Sequence, residues 1–283
     1  MGILPPAIRA PAAKVWRERI RPLTRNFDGQ PDVLVIGAQK AGTTWLTHLF
    51  TQQPSLLKPK VKEVHYFNRH YDLGPRWYRS NFATSDEAAA RVRETGLSRP
   101  LRYEATPDYL FHADAPGRIA ADLPDARLIV LVRDPVWRAL SGYSHMVRAG
   151  LEGRSLEAAI LGEEEELEAA RRASPAKYSH ILEYHSYVAR GLYFEQIERY
   201  RTRFADKDIR VLVYEDVIAR PEAGLAEIAE FLGVPLTMPE RTTAQNVGSY
   251  ERKVDSRIEQ HIRNATDADT AALFNWLGRP RPW

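Results

Sequence analysis

Three short apolar segments, each followed by the pattern of a helix, constrain the fold of this chain more than any other feature. Residues 32–36 and 127–132 are aliphatic runs with little polar alternation, which is the pattern of a strand covered on both faces. Helical periodicity follows both runs, and a third strand at 209–214 precedes a helix predicted to end at Gly233. Strands that alternate with helices predict an α/β fold with a mostly parallel sheet flanked by helices.

The length favours a single domain. A chain of 283 residues fits one large domain or two small ones, and no repeat or Gly/Ser-rich linker marks a boundary. We therefore predict a basic N-terminal strap at 1–30 and one α/β domain at 31–283. Prolines interrupt the strap and prevent a long amphipathic helix, so only a weak peripheral contact with anionic lipid is expected of it.

The composition excludes several classes of protein. The absence of cysteine rules out a disulfide scaffold, a thiolate zinc site and a cysteine nucleophile, and gives no sign of an oxidising compartment. The longest purely aliphatic stretch, 128–132, is far too short to span a bilayer. A net charge of +3 is too small for a protein that coats nucleic acid. We expect a cytoplasmic protein with no transmembrane segment and no nucleic-acid partner.

An acidic block at 163–166 opens a predicted helix that ends in Arg171 and Arg172. Negative charge at the start of a helix and positive charge at its end both complement the helix dipole. We interpret the block as a solvated helix face rather than as a binding site.

A glycine-containing loop joins the first predicted strand to the first predicted helix. Its sequence, Gly37 to Thr44, has the G-x-x-x-x-G spacing of a phosphate-binding loop, and its position gives backbone N–H groups and a helix dipole to an anion. Nucleoside-triphosphate enzymes place a lysine after the second glycine and use magnesium, whereas Thr43 follows Gly42 here and Lys40 lies inside the loop. The loop therefore predicts a shorter anion, although a P-loop kinase acting on a small alcohol would share the fold.

The second apolar run leads into another candidate phosphate contact. Asp134 is a plausible N-cap and Pro135 a first helical residue. Arg133 leaves the carboxyl end of the strand and Ser141 lies about two turns into the helix. A guanidinium and a hydroxyl in these places can converge on one phosphate, while a salt-bridged arginine and a helix-interior serine are the structural alternative.

These two segments resemble the sulfotransferases that use 3′-phosphoadenosine 5′-phosphosulfate (PAPS). Residues 37–46 are similar to the family's 5′-phosphosulfate loop, and Arg133 and Ser141 match its 3′-phosphate pair. The resemblance runs from about Asp32 to the C-terminus and implies a P-loop-like sulfotransferase fold, PAPS as co-substrate and no metal. The implied donor-binding residues are Gln39, Lys40, Ala41, Gly42, Thr43, Thr44, Trp45, Arg133 and Ser141.

A third segment, 62–68, is similar to the glycan-modifying, heparan sulfate type branch of that family, and the match implies a bacterial member. The resemblance implies that Glu63 is the catalytic base and that the acceptor is a carbohydrate or a glycosylated or lipid small molecule. The membrane anchor of the Golgi members has no counterpart here. The loop at 249–253 lacks the basic triplet of cytosolic animal members, so Arg252 and Lys253 are the candidates to replace it, with plain surface charge as the alternative.

The chemistry that this resemblance implies needs a base and a cation. An acceptor hydroxyl or amine attacks sulfur in line while the adenosine bisphosphate leaves, and we assign the base to Glu63 and the cation at the leaving oxygen to Lys40. On a strand or extended segment Glu63 and His65 share a face and Lys62 points elsewhere, with a bend of the Lys62 side chain back toward the sulfonate as the alternative. His65 is the rival base, because imidazoles ordinarily titrate near neutral pH, and a half-buried polar side chain is its structural alternative. A non-enzymatic nucleotide or polyanion-binding module would need the loop and Arg133 but no base.

Overall fold

The computed structural model describes residues 27–239 and 254–283. Within them lies a five-stranded sheet in the order β2-β3-β1-β4-β5, and every neighbouring pair is parallel. The strands are β1 (Val33–Gly37), β2 (Leu56–Leu57), β3 (Leu101–Ala105), β4 (Arg127–Val132) and β5 (Ile209–Val213). The predicted α/β fold is confirmed.

The helices of the described residues connect these strands and cover the sheet. They are α1 (Thr43–Thr51), α2 (Tyr66–Arg69), α3 (Gly74–Arg79), α4 (Ser85–Thr95), α5 (Ala115–Asp122), α6 (Pro135–Arg148), α7 (Leu156–Leu161), α8 (Glu163–Ala173), α9 (Pro175–Tyr184), α10 (Tyr193–Arg201), α11 (Tyr214–Ala219), α12 (Pro221–Leu232) and α13 (Ser256–Trp276). Short 3₁₀ segments lie at Tyr71–Leu73, Pro107–Tyr109, Ala189–Gly191 and Asp206–Asp208.

The centre of the sheet is apolar on both faces. All of β1 and five of the six residues of β4 are buried, which explains why both strands read as uninterrupted aliphatic runs. The chain builds outward from β1 through β3 on one side and β4 on the other. The strand order therefore reverses at β1, and ligands of such sheets bind beyond the carboxyl ends of the strands at this reversal.

The predicted helix signals that flank these strands are confirmed. The Asp134 side chain accepts a hydrogen bond of 2.8 Å from the backbone N–H of Val136, and Pro135 begins α6. Gly233 ends α12 with a left-handed φ of 65°, which costs glycine little. The third predicted strand is one residue shorter than expected because Tyr214 begins α11. Residues 1–26 lie outside the described residues, so the strap and the domain division stay predictions.

A second apolar cluster joins α6, α7 and the first half of α13 beside the main core. Near it, the interpretation of 163–166 as a wholly solvated face is wrong for one residue. Glu163 is buried, and its carboxylate accepts backbone N–H bonds from Tyr187, Val188 and Ala189 at 2.7, 2.6 and 2.8 Å. A buried carboxylate needs such donors. Glu163 therefore holds the backbone at 187–189 in place, and it does not belong to the solvent-exposed face of its helix.

Candidate active site

The glycine-containing loop lies where β1 ends and α1 begins. Gly42 has a φ of 98°, and a Cβ atom there would lie 2.4 Å from the ring of Tyr214. Both the left-handed backbone and the close ring therefore require glycine. The first turn of α1 leaves backbone N–H groups outside the helical ladder, so the loop presents N–H donors to an anion where the sequence predicted them.

Arg133 follows β4 and contacts this loop directly. Its Nη1 lies 3.4 Å from the carbonyl oxygen of Lys40, and its guanidinium lies 4.9 Å from the centre of the Tyr214 ring. Ser141 is buried in α6, about two turns from the helix start. The loop after β1 and the residue after β4, 93 positions apart in sequence, thus meet at the carboxyl ends of the strands.

Lys40 lies among like charges. Burial lowers the pKa of the Lys40 ammonium below its ordinary value, and the charges of Arg148 and Lys62 lower it further, with Glu63 opposing them. Arg133 acts in the same direction as the other cations. A lysine whose surroundings disfavour its charge is stabilised when an anion arrives. The electrostatics of the loop therefore favour an anionic ligand independently of the motif.

Glu63 and His65 form a pair close to this loop. His65 Nε2 lies 3.3 Å from Glu63 Oε2, so the prediction that they share a face is confirmed. Residues 58–65 form no strand, and the predicted extended backbone does not hold at His65, which has a left-handed φ of 54°. The Lys62 side chain bends back, and its Nζ lies 4.0 Å from Glu63 Oε1. The Glu63 side chain is 37% exposed, which leaves it open to an acceptor.

A buried hydrogen-bond network supports this pair from below. Glu104, at the end of β3, accepts hydrogen bonds from the hydroxyls of Tyr78, Tyr109 and Thr106. Burial raises the pKa of Glu104, and these three hydroxyls oppose the rise. The Thr106 Oγ1 in turn lies 3.4 Å from the backbone nitrogen of His65. The backbone that carries Glu63 and His65 is thus tied to the central sheet.

A cavity of about 710 Å³ is connected to the pair and to the loop through two of its lining residues, although neither the pair nor the loop lines it. Asn68 lines it, and the Asn68 Nδ2 lies 3.3 Å from the Nδ1 of His65. Asp108 lines it too, and accepts a hydrogen bond of 3.2 Å from Gln39 of the loop. The cavity is therefore one residue removed from both halves of the candidate site.

Two groups of site residues were missed by the sequence analysis. His145 of α6 is electrostatically coupled to Lys40, Glu63, Arg148 and Asp108, and burial first, then the two cations, lower its pKa, so it is neutral at pH 7. Asp108 and Arg190 form an ion pair of 2.9 Å at the cavity. A histidine one turn beyond Ser141, and an aspartate that follows a segment at 101–105 in which apolar and aromatic residues alternate with charged ones, were the available signals.

Some predicted features fall outside these observations. Arg252 and Lys253 lie outside the described residues. Among residues 27–239 and 254–283, His, Asp and Glu side chains form no group of three that could hold a metal ion. In the same ranges, no helix combines the length and the hydropathy that a bilayer crossing needs.

Residues 30–269 match the sulfotransferase domain family. The chain belongs to this family. It is 24% identical to the membrane-associated sulfotransferase kil1 of Dictyostelium discoideum over 89% of this chain and 66% of that protein. It is 28% identical to the human heparan sulfate glucosamine 3-O-sulfotransferase 3B1 over 75% of this chain and 50% of that protein. The chain thus matches about half to two thirds of the length of these relatives.

A solved structure agrees with the family assignment. The sulfotransferase from Alicyclobacillus acidocaldarius superposes with a TM-score of 0.65 at 25% identity, covering 89% of this chain and 98% of that one. The predicted resemblance and the predicted sulfotransferase fold are confirmed. Membership of the family implies PAPS as the co-substrate.

Proposed function

We propose that this chain transfers the sulfuryl group of PAPS to a hydroxyl group of a carbohydrate-type acceptor. The observation that carries the proposal is the cationic loop of Lys40 placed beside the exposed carboxylate of Glu63, with a cavity whose lining residues Asp108 and Asn68 contact the loop and His65. Sulfuryl transfer needs a cation at the leaving oxygen and a base at the attacking oxygen. The P-loop kinase is not favoured, because Lys40 lies before the second glycine and Thr43 follows it.

The proposed step conserves atoms and charge. The acceptor oxygen forms a bond to sulfur as the bond from sulfur to the 5′-phosphate oxygen breaks, and adenosine 3′,5′-bisphosphate leaves. Glu63 takes the acceptor proton, and the Lys40 ammonium stabilises charge on the leaving oxygen. His65 holds the Glu63 carboxylate through its Nε2, and Arg133 and Ser141 receive the 3′-phosphate.

The cavity suggests what kind of acceptor fits. Four arginines and four carboxylates line it, and burial lowers the pKa of His112 on the same wall, so that imidazole is neutral at pH 7. A charge-balanced wall does not select for a polyanion. We propose that a neutral saccharide is accepted at least as well as a sulfated one.

A screen with radiolabelled PAPS tests this function. Neutral oligosaccharides, sulfated glycosaminoglycans, amino sugars and simple alcohols are offered as acceptors, and labelled product is counted. Transfer to a saccharide hydroxyl is the expected result. Transfer to none of them, or transfer of phosphate from ATP instead, would contradict the proposal.

The location and the source of the protein belong to the proposal as well. A cytoplasmic location, a bacterial origin and weak contact of the strap with anionic lipid rest on the sequence alone, and kil1 is named as membrane-associated. Sedimentation with vesicles of phosphatidylserine and phosphatidylcholine, with and without residues 1–26, measures the lipid contact.

A further inference from the structure

Asp108 lies at the junction between the loop and the cavity. It belongs to the 3₁₀ segment Pro107–Tyr109 that follows β3, the strand beside β1. Its Oδ1 accepts a hydrogen bond of 3.2 Å from the Nε2 of Gln39, the residue before Lys40 in the loop. Its side chain also lines the cavity. One carboxylate therefore touches both the donor side and the cavity side of the site.

On the cavity side, two arginines hold the same carboxylate. Arg190 Nη1 lies 2.9 Å from Oδ1, and Arg69 Nη2 lies 3.4 Å from Oδ2. Arg69 also pairs with Glu183 at 2.5 Å, which joins Asp108 to the end of α9. Arg190 is itself buried, and its guanidinium lies 4.5 Å from the centre of the Phe111 ring.

The backbone that delivers Arg190 is fixed from behind. The Glu163 carboxylate accepts the N–H groups of the three residues at 187–189, immediately before Arg190. A continuous series of contacts thus runs from α8 through 187–190 and Asp108 to Gln39 of the loop. Contiguous networks of this kind can transmit a change at one site to another.

The charge on Asp108 is what holds this series together. Burial alone would raise the pKa of Asp108, but Arg190, His65 and Arg69 outweigh it, so the pKa lies below its ordinary value. The carboxylate is ionised at neutral pH. The Asp108 carboxylate balances the charges of Arg190 and Arg69, and its Oδ1 also accepts the hydrogen bond from Gln39.

We propose that Asp108 is a positioning residue that couples the donor loop to the cavity wall at 187–192, so that donor binding organises the acceptor cavity. The inference rests on the proposed function, since it takes the loop as the donor site. Coupling between two ligand sites is reciprocal. Donor binding therefore tightens acceptor binding through Asp108, and acceptor binding tightens donor binding to the same extent.

Hydrogen exchange measured by mass spectrometry tests the coupling without a known acceptor. The full chain is compared with and without saturating adenosine 3′,5′-bisphosphate. In the wild type we expect the bisphosphate to slow exchange at 37–46 and also at 187–192, by about fivefold or more in the second segment. Because Gln39 is itself a predicted donor-binding residue, each variant is compared at a bisphosphate concentration that a calorimetric titration shows to saturate it. In Gln39→Leu and in Asp108→Asn, the first segment is then protected and the second loses its protection.

Gln39→Leu is the decisive variant, because Asp108→Asn leaves Arg190 with a buried unpaired charge that can prevent folding. Asp114→Asn is the matched control: Asp114 lines the same cavity but is 63% exposed and pairs with Arg118. The control should give the wild-type exchange pattern. Absence of protection at 37–46 in the wild type would overturn the proposed function. Protection there without protection at 187–192, or protection at 187–192 that survives in Gln39→Leu, would overturn the coupling alone.

Discussion

The donor loop and the cavity wall are neighbouring regions, and both are rich in cations. They differ in the balance between cations and carboxylates. At the loop, Lys40, Lys62, Arg133 and Arg148 face one another with Glu63 as the opposing carboxylate. At the cavity, arginines and carboxylates are equal in number. In the first region the cations repel one another, and a bound anion would reduce that repulsion. In the second region the charges of the side chains cancel. The comparison teaches that the number of basic residues does not by itself favour an anion, whereas an excess of cations over neighbouring carboxylates does.

The strongest test of the donor side removes its central cation. In Lys40→Ala the leaving oxygen loses the charge that stabilises it, and we expect kcat to fall by about 10² to 10³, the usual effect of removing one such group. Lys58→Ala, an exposed lysine outside the site, is the control. Steady-state transfer with radiolabelled PAPS measures both. Wild-type turnover in Lys40→Ala would remove this residue from the mechanism.

The next test separates the two candidate bases. Glu63→Gln keeps the shape of the side chain, so nucleotide affinity should hold while kcat falls by about 10² or more. His65→Asn should do less damage, because His65 contacts Glu63 rather than the acceptor in our assignment. The two rates are compared across pH 5 to 8. A collapse in His65→Asn with normal turnover in Glu63→Gln would reverse the assignment.

A third variant tests whether Arg133 binds the 3′-phosphate of the nucleotide. A charge-assisted contact is worth about 1.5–3 kcal/mol, so Arg133→Ala should weaken adenosine 3′,5′-bisphosphate by roughly one to two orders of magnitude. Adenosine 5′-monophosphate, which lacks the 3′-phosphate, should lose far less in the same calorimetric titration, and Ser141→Ala should show the same selectivity. Because Arg133 also contacts the Lys40 carbonyl, an equal loss for both nucleotides would mean that it only supports the loop.

The pH dependence of donor binding follows from Lys40. Its pKa lies below the ordinary value of 10.5 in the free protein, and a bound anion favours the protonated form. Affinity for the bisphosphate should therefore fall as pH rises through that lowered pKa, by up to about tenfold between pH 7 and 10. Lys40→Met should flatten the curve, and an unchanged slope in that variant would assign the titration elsewhere.

The smallest expected effect sharpens the comparison from the cavity side. Glu183→Gln removes one carboxylate from the balanced wall and partly frees Arg69. We expect the ratio of kcat/KM for a sulfated over a neutral saccharide to rise by about two- to fivefold, the range of an exposed ion pair. Glu230→Gln on α12, an exposed position that does not line the cavity, is the control. An equal ratio in both variants would show that the wall's charge does not select the acceptor.

The same contrast explains what the sequence could predict. The loop, β4 and the start of α6 are local patterns, in which strand, glycine and N-cap signals occur within about fifteen residues, and they were predicted correctly. Asp108 meets Gln39, Arg190 and Arg69 from 69, 82 and 39 residues away. Tertiary packing creates such contacts, and the spacing of residues within one segment of sequence does not predict them.

Local reasoning also failed where packing overrides it. Glu163 was predicted to be solvated because acidic residues open many helices, but it is buried against the backbone of 187–189. Residues 62–65 were predicted to be a strand or extended, but they form no strand and His65 has a left-handed backbone. Glu163 thus satisfies backbone groups that are distant in sequence, which no local pattern reveals.

Calorimetric titration of the full chain with adenosine 3′,5′-bisphosphate in excess chelator tests the central claim most directly. The account predicts tight binding without any metal, because Lys40, Arg133 and the loop N–H groups hold the phosphates themselves. ATP with magnesium should bind more weakly. Binding of the bisphosphate that requires magnesium, or tighter binding of ATP, would contradict the claim that this loop is a sulfuryl-donor site.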